Sequence, residues 1–460
     1  MNPNTDEAYK LLHSGIFALA RMEQQGFRVD TKYLSKKKKE ITQNIETLED
    51  EFKNTKFYAG WEKIYKSKTN MYSGQQLSHY LYADKKLKVH KETKSGQGAT
   101  DEEALKQLGI PELDILLRIK KLKKTRDTYL DSFEREQVDG VIHPFYHLHL
   151  VRTFRGSSDS PNFQNIPKRD EEIMELTRRA IYPRKGHQLM EIDFKQLEVR
   201  IAACYTGDQQ LIDDILVGDM HRDMAIELFK LDKYNPEDHS HKVLRQAAKN
   251  GFVFPEFYGD YYKNCASNLV VNWGKLPKDG RWKTGQGIQF ENTHLSDHLI
   301  KHGFKNLEQY ANFVNKVEFD FWNKRYRTYT KWKDSTWEEY QRTGKVYTKT
   351  GFTYQGVMKR NDVLNYPIQG SAFHVLLWSL IEGVKAQIRE RWQTRIIGQI
   401  HDAIILDVHP KELKKVIKIM QCIMCNDVRQ HWPWITVPLE VDAEVCDVDA
   451  SWAEKKPYKI

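Results

Sequence analysis

Residues 189 to 208, LMEIDFKQLEVRIAACYTGD, change periodicity in the middle. Leu189, Met190 and Ile192 form a short strand-like run; after Asp193 the apolar positions Leu197, Ile201 and Cys204 or Tyr205 recur at helical spacing. A strand that hands over to a helix across one carboxylate carries that group on a rigid base, where it can face a ligand or a metal. A lone Asp at such a junction is more simply a helix N-cap or a solvated loop acid. Gln196, Glu198 and Arg200 follow it closely, and the choice rests on whether further motifs appear downstream in order.

They do appear. GDMHRDMAIELF is followed by HKVLRQAAKNGFVFPEFYGD, where Arg245 and Lys249 stand one helical turn apart and offer two cations to an anionic ligand. RNDVLNYPIQGSAFHVLLWSLI comes next, and then RIIGQIHDAIILDV, which is too long for one ordinary strand and predicts a hairpin with His401 and Asp402 at its tip. Upstream lies RTFRGSSDSPNFQNIP, a composition that by default marks a polar loop.

In this order the segments resemble the polymerase domain of the family A, DNA polymerase I-like, DNA polymerases. Asp193, Gln196, Glu198 and Arg200 match motif A; Thr153, Arg155, Ser157, Ser158, Pro161, Asn162, Gln164, Asn165, Ile166 and Pro167 match the segment that ends in Q-N-I-P; Gln399, His401 and Asp402 match motif C. The resemblance implies an α+β fold of right-hand architecture, with an antiparallel palm sheet and mostly helical fingers and thumb. The expected parts are an entry helix over 1–30, a thumb over 31–137, a first palm segment over 138–215, fingers over 216–340 and a second palm segment over 341–460.

The activity it implies is template-directed addition of dNTPs to a primer 3′-hydroxyl by two-metal nucleotidyl transfer. Asp193 and Asp402, with the Phe194 carbonyl, would hold two Mg²⁺ or Mn²⁺ ions. Gln196, Glu198, His221, Arg245, Lys249, Phe254 and Tyr258 would bind the nucleotide, with Arg245, Lys249 and His221 neutralising its phosphates and Glu198 crowding the sugar 2′ position. Arg155, Asn162, Gln164, Asn165, Arg360, Asn365, Gln369 and His401 would contact DNA, through minor-groove acceptors that every correct pair presents. The implied partners are primer-template DNA and dNTPs. An exonuclease segment is absent from the sequence, so proofreading would fall to a separate protein, and a processivity protein is a further candidate partner.

Composition agrees without deciding. Lys and Arg outnumber Asp and Glu by 72 to 63, giving a net charge of +9, which favours a polyanionic partner. In the thumb, Lys120, Lys121, Lys123 and Lys124 would follow the duplex backbone and supply salt-sensitive affinity; Lys91 to Thr100 reads as the loop at its tip. The five cysteines, with no signal-like start, argue for a reducing, cytosolic compartment and no disulfide framework. Cys422 and Cys425 lack a second pair to complete a zinc site, so buried helix thiols are expected. No apolar run approaches membrane-spanning length, and no membrane partner is expected.

The departures from the family pattern are specific. Phe154 and Gly156 replace Gly and Leu, and Ala403 stands where motif C usually has Glu, leaving two carboxylates for the metals. In motif B the left and right halves are out of register by one residue and Pro255 follows Phe254, which predicts a π-bulge or kink near Gly251, with Phe254 rather than Phe252 as the ring beside the nucleotide. Residues 270–340 carry no functional assignment. Two other readings stand beside the polymerase: a catalytically inactive DNA-binding paralogue, and a two-metal nuclease.

Overall fold

The computed structural model describes residues 4–89, 92–93, 95–166, 170–290 and 293–459. Pro167 of the Q-N-I-P segment and Lys91 of the expected tip loop lie outside the described residues.

The chain is built on a five-stranded antiparallel sheet in which strand Gln188–Phe194 is central. Hairpin strands Arg395–Ile400 and Ala403–Val408 lie on one side of it, and strands Val441–Val445 and Lys456–Tyr458 on the other. Met190, Ile192 and Phe194 share a face with Ile404, Leu406, Val441 and Val445 in the larger hydrophobic core. Leu189, Ile405 and Cys446 project to the opposite face, into a second core. Burial on both faces is why this strand reads as a continuous apolar run rather than an alternating one.

The one acid inside the run, Glu191, is 5 % exposed and has donors: the Trp452 indole N–H at 3.1 Å and Lys455 at 2.7 Å. The C-terminal tryptophan thus closes the sheet by satisfying a buried carboxylate.

The long helix Arg360–Arg389 packs against the first helix, Thr5–Gln25. In the first helix Ile16 is 58 % exposed, and the buried positions are Ala8, Leu11, Gly15, Ala18, Leu19 and Met22. Close approach selects the small residues; a Cβ at Gly15 would sit 3.1 Å from Leu377. Gly26 ends this helix at φ 64°, Phe27–Val29 then pairs with Val141–Ile142 and Ile181–Tyr182, and Asp30 caps the next helix by accepting from the Tyr33 amide.

Residues 31–136 form a helical lobe around the second core, with Phe52, Trp61, Leu116 and Ile119 fully buried. Three of the four lysines expected to follow the duplex backbone are partly buried. Lys121 pairs with Asp170 and Glu172, Lys123 lies 3.8 Å from the Tyr72 ring centroid, and Lys120 is half-buried. Of the four lysines expected to follow the duplex backbone, Lys124 alone is fully exposed. Lys88 of this lobe pairs with Asp279 of the segment following motif B, so the two lobes touch.

Cys425 is buried as expected, whereas Cys422 is exposed and its thiol donates to Asp427. Among the described residues no helix is long and apolar enough to cross a membrane.

Candidate active site

The strand that carries Asp193 ends at Phe194, and helix Leu197–Thr206 starts after two intervening residues. Gln196 makes this abrupt turn at φ 50°. Buried Arg200 fixes the junction, donating to the Lys195 carbonyl at 3.0 Å, to the Pro438 carbonyl, and to Glu440 at 2.9 Å. Motif A's arginine is therefore a buttress behind the acid.

Asp402 sits at the tip of the predicted hairpin, after His401 at φ 53°. In the sheet Asp193 lies directly opposite Ala403, and the Phe194 N–H donates to the Asp402 carbonyl at 3.2 Å. Two aspartates separated by more than two hundred residues of sequence are thereby neighbours across one strand pair, and both are half-buried.

Asp193 and Asp402 form a donor set of hard oxygens, suited to Mg²⁺, which typically takes one or two carboxylates and completes its shell with substrate phosphates and water. Ala403 is fully buried and adds no ligand. Asp442 lies opposite Asp193 on the other side but pairs with Lys195 at 3.0 Å. Among the described residues no group of three or more His, Cys, Asp or Glu side chains is placed to hold a metal ion.

Beside the aspartates opens a cleft of about 270 Å³. Arg155, Gln196, Glu198, Phe254, Tyr258, Asn365, Gln369 and Asp402 line it, brought from five separate stretches of sequence, together with Phe257, Tyr329 and Ile368. Glu198 is its hub: it accepts from Arg155 at 3.3 Å and from the Tyr258 hydroxyl at 2.7 Å. Burial, then the Glu198 carboxylate, raises the Tyr258 phenol far above its ordinary range, so the hydroxyl remains a donor.

The extra residue of motif B is absorbed as predicted. Helix His239–Ala248 passes into a π-helical turn, Lys249–Val253, and then into the short helix Phe254–Phe257, where Pro255 occupies the first turn and needs no donor. A Cβ at Gly251 would lie 2.9 Å from the Leu269 side chain. After the bulge Phe254 and Tyr258 both face the cleft; Phe252 is fully buried, edge-on to Phe321.

Lys249 stands 5.1 Å from the Phe254 ring centroid, and Arg245 is held by Asp219 at 2.8 Å. His221 meets Phe254 edge-on at 5.7 Å. Burial, then Lys249 and Arg245, lowers the His221 pKa to about 4, which favours a neutral ring near pH 7, and neither ring nitrogen has a hydrogen-bond partner among the described residues.

The segment 152–166 reaches the hairpin through a chain of amides. Gln164 donates to Gln399 at 3.1 Å, and Gln399 donates to the His401 carbonyl. Asn162 accepts from the Ser158 hydroxyl at 3.3 Å, and the Asn165 carbonyl accepts from Tyr129. The unusual pair at 154 and 156 is one packing solution: Phe154 stacks on Tyr354, and Gly156 lies where a Cβ would be 2.6 Å from the Phe373 ring.

Asn365 donates to the Tyr258 carbonyl at 3.2 Å. Arg360 instead pairs with Asp334 at 2.7 Å, away from the cleft lining, and it is Asn361 that donates to the Gly259 carbonyl at 3.0 Å. Asn361, Phe257 and Tyr329 were not singled out from sequence. Tyr329 lies in an aromatic-rich helix with no periodicity to rank one ring above another.

A family model described as DNA polymerase family A matches residues 31–454. Similar curated proteins include the DNA polymerase I of Geobacillus stearothermophilus, 28% identical over 434 residues that make up 92% of this chain and 44% of that protein. The DNA polymerase I of Lactococcus lactis subsp. lactis (strain IL1403) is 28% identical over 443 residues, 95% of this chain and 45% of that protein. The chain thus spans less than half the length of these relatives. Among solved structures, the POL domain of Pol1 from M. smegmatis, in complex with DNA primer-template and dNTP, superposes with a TM-score of 0.73 at 24% identity, covering 96% of this chain and 70% of that one. That likeness bears on the fold, which is the right-hand α+β architecture.

Proposed function

Because this chain belongs to DNA polymerase family A, we propose that it is a DNA-directed DNA polymerase that extends a primer 3′-hydroxyl with dNTPs on a DNA template. The observation that supports this most directly is the cleft at Asp402, in which the acids Glu198 and Asp402, four aromatic rings, an arginine and three amides converge from distant segments. In this reading residues 31–137 are the thumb, 216–340 the fingers, and the sheet with its flanking segments the palm.

Two Mg²⁺ or Mn²⁺ ions held by Asp193, Asp402 and the Phe194 carbonyl would supply Lewis-acid activation of the 3′-hydroxyl and neutralisation of the leaving pyrophosphate. The chain's own residues do the rest. Arg245 and Lys249 give charge-assisted hydrogen bonds to the triphosphate, Arg245 exchanging Asp219 for phosphate, and neutral His221 adds an N–H donor. Phe254 and Tyr258 bracket the base and sugar, Gln196 borders them, and Glu198 occupies the space a 2′-hydroxyl would need. Arg155, Asn162, Gln164 and Asn165 contact primer and template at the growing end, with Asn365, Gln369, His401 and Arg360 on the template side; Arg360 must leave Asp334 to do so.

Primer extension with Mg²⁺ and dNTPs tests the proposal. Template-directed, full-length product supports it. DNA binding without product favours the inactive paralogue, and primer shortening without dNTPs favours the nuclease.

A further inference from the structure

In the turn Phe254 to Tyr258 three side chains, Phe254, Phe257 and Tyr258, line the cleft. Glu256 does not; it is 3 % exposed, on the far side of the same turn. Its carboxylate accepts the Trp322 indole N–H at 2.8 Å and the Cys265 thiol at 3.4 Å. Trp322 belongs to the π-helical turn Phe321–Arg325, and on its face Lys333 sits 3.2 Å from the ring centroid. Phe257 packs edge-on against Phe321 and Trp322. An aliphatic side chain would fill this slot without the desolvation cost of an acid. An acid with two donors fixes the rotation of a four-residue helix that follows a bulge.

We propose that Glu256 is a positioning residue for the incoming nucleotide, holding the turn that carries Phe254 and Tyr258 against Trp322 while neutral and loosening it when ionised. The inference rests on the polymerase reading above. The charged and titratable groups facing Glu256 are Cys265, Glu318 and Lys333, with Asp260 beside Cys265. Burial pushes the Glu256 carboxyl up to about 7, with Glu318 adding to the rise and Trp322, Cys265 and Lys333 opposing it. Burial, then Arg360, lowers Lys333 to about 8, so the nearest cation is also lost as pH climbs. The fold therefore favours the neutral acid. Raising the pH through about 7 places a charge in a dry slot and drives the turn towards water, and nucleotide affinity falls.

The test is single-nucleotide incorporation by the whole chain between about pH 6 and 8.5, with KM and kcat resolved, for wild type, Glu256→Gln and Glu256→Leu, each checked for folding by thermal unfolding. Wild-type KM for dNTP should rise about fivefold with pH; Glu256→Gln, which keeps a carbonyl for the indole, should hold a low and flat KM with kcat within about twofold of wild type. Glu256→Leu should raise KM about tenfold at every pH. A Gln variant whose KM follows the wild-type pH profile, or a folded Leu variant with unchanged KM, overturns the inference; should Leu fail to fold, the Gln profile decides. Wild type that makes no product overturns the polymerase reading itself, and this inference with it.

Discussion

Tyr258 donates its hydroxyl to the Glu198 carboxylate at 2.7 Å, joining the helix after the motif B bulge to the helix that opens motif A. The acid proposed to exclude a 2′-hydroxyl is thus held from both sides, since Arg155 donates to its other oxygen. Glu198→Ala should raise ribonucleotide use relative to deoxynucleotide by one to two orders of magnitude, about 1.5–3 kcal/mol of lost discrimination. Tyr258→Phe, which frees one carboxylate oxygen, should move the same ratio less. Competition between rNTP and dNTP measures both, and an unchanged ratio in Glu198→Ala places the sugar gate elsewhere.

Asp193→Ala and Asp402→Ala should each lower kcat at least about a thousandfold while primer-template affinity changes little, because the acids serve the metals and binding is spread over many residues. Rapid-quench extension and a filter-binding titration read the two quantities. Near wild-type turnover in either variant would remove these acids from the chemistry.

Phe254→Tyr should improve dideoxynucleotide incorporation with little effect on normal extension, since a hydroxyl on the cleft-facing ring can stand in for the missing 3′-hydroxyl. Phe252→Tyr should not, and it should destabilise the fold by about 1–3 kcal/mol because its hydroxyl enters a fully buried site. Terminator-to-dNTP incorporation ratios and urea unfolding of both variants check the pair; relaxed discrimination in Phe252→Tyr alone would reverse the assignment.

His374 is fully buried beneath the Phe352 ring, with Nδ1 2.6 Å from the Thr350 hydroxyl. Burial lowers its pKa from 6.5 to about 3. The folded-state value is depressed, so its stabilising contribution is fully present above about pH 6.5 and is lost as the pH falls towards 3, about 2 kcal/mol being gone by about pH 5. His374→Phe should flatten the acid limb of a urea-midpoint profile, with Thr350 keeping its bond to Thr348. An unaltered limb would show that other groups govern acid unfolding.

Much of the site was legible because its signals are local. The change of period after Ile192 located the junction at Asp193, the length of RIIGQIHDAIILDV located the hairpin tip at Asp402, and one surplus residue with a nearby proline located the bulge before Phe254. Periodicity, turn length and register act over a few residues, and a chain states them without reference to its partners.

What required the tertiary structure is whatever depends on residues far away. Ile16 faces solvent and Gly15 the core because Leu377 approaches that side of the helix. Lys121 and Arg360 are taken by Asp170 and Asp334, and His221 is neutral because burial and two nearby cations outweigh Asp219. Glu256 reads as a surface acid until Trp322 and Cys265 close over it. The residue types and their order in this chain established its family and the identity of its two aspartates. Their meeting, across a strand pair joining residues some two hundred positions apart, and the charge state of the groups around them were decided by packing, because desolvation and Coulomb interaction depend on distance in space and not on distance along the chain.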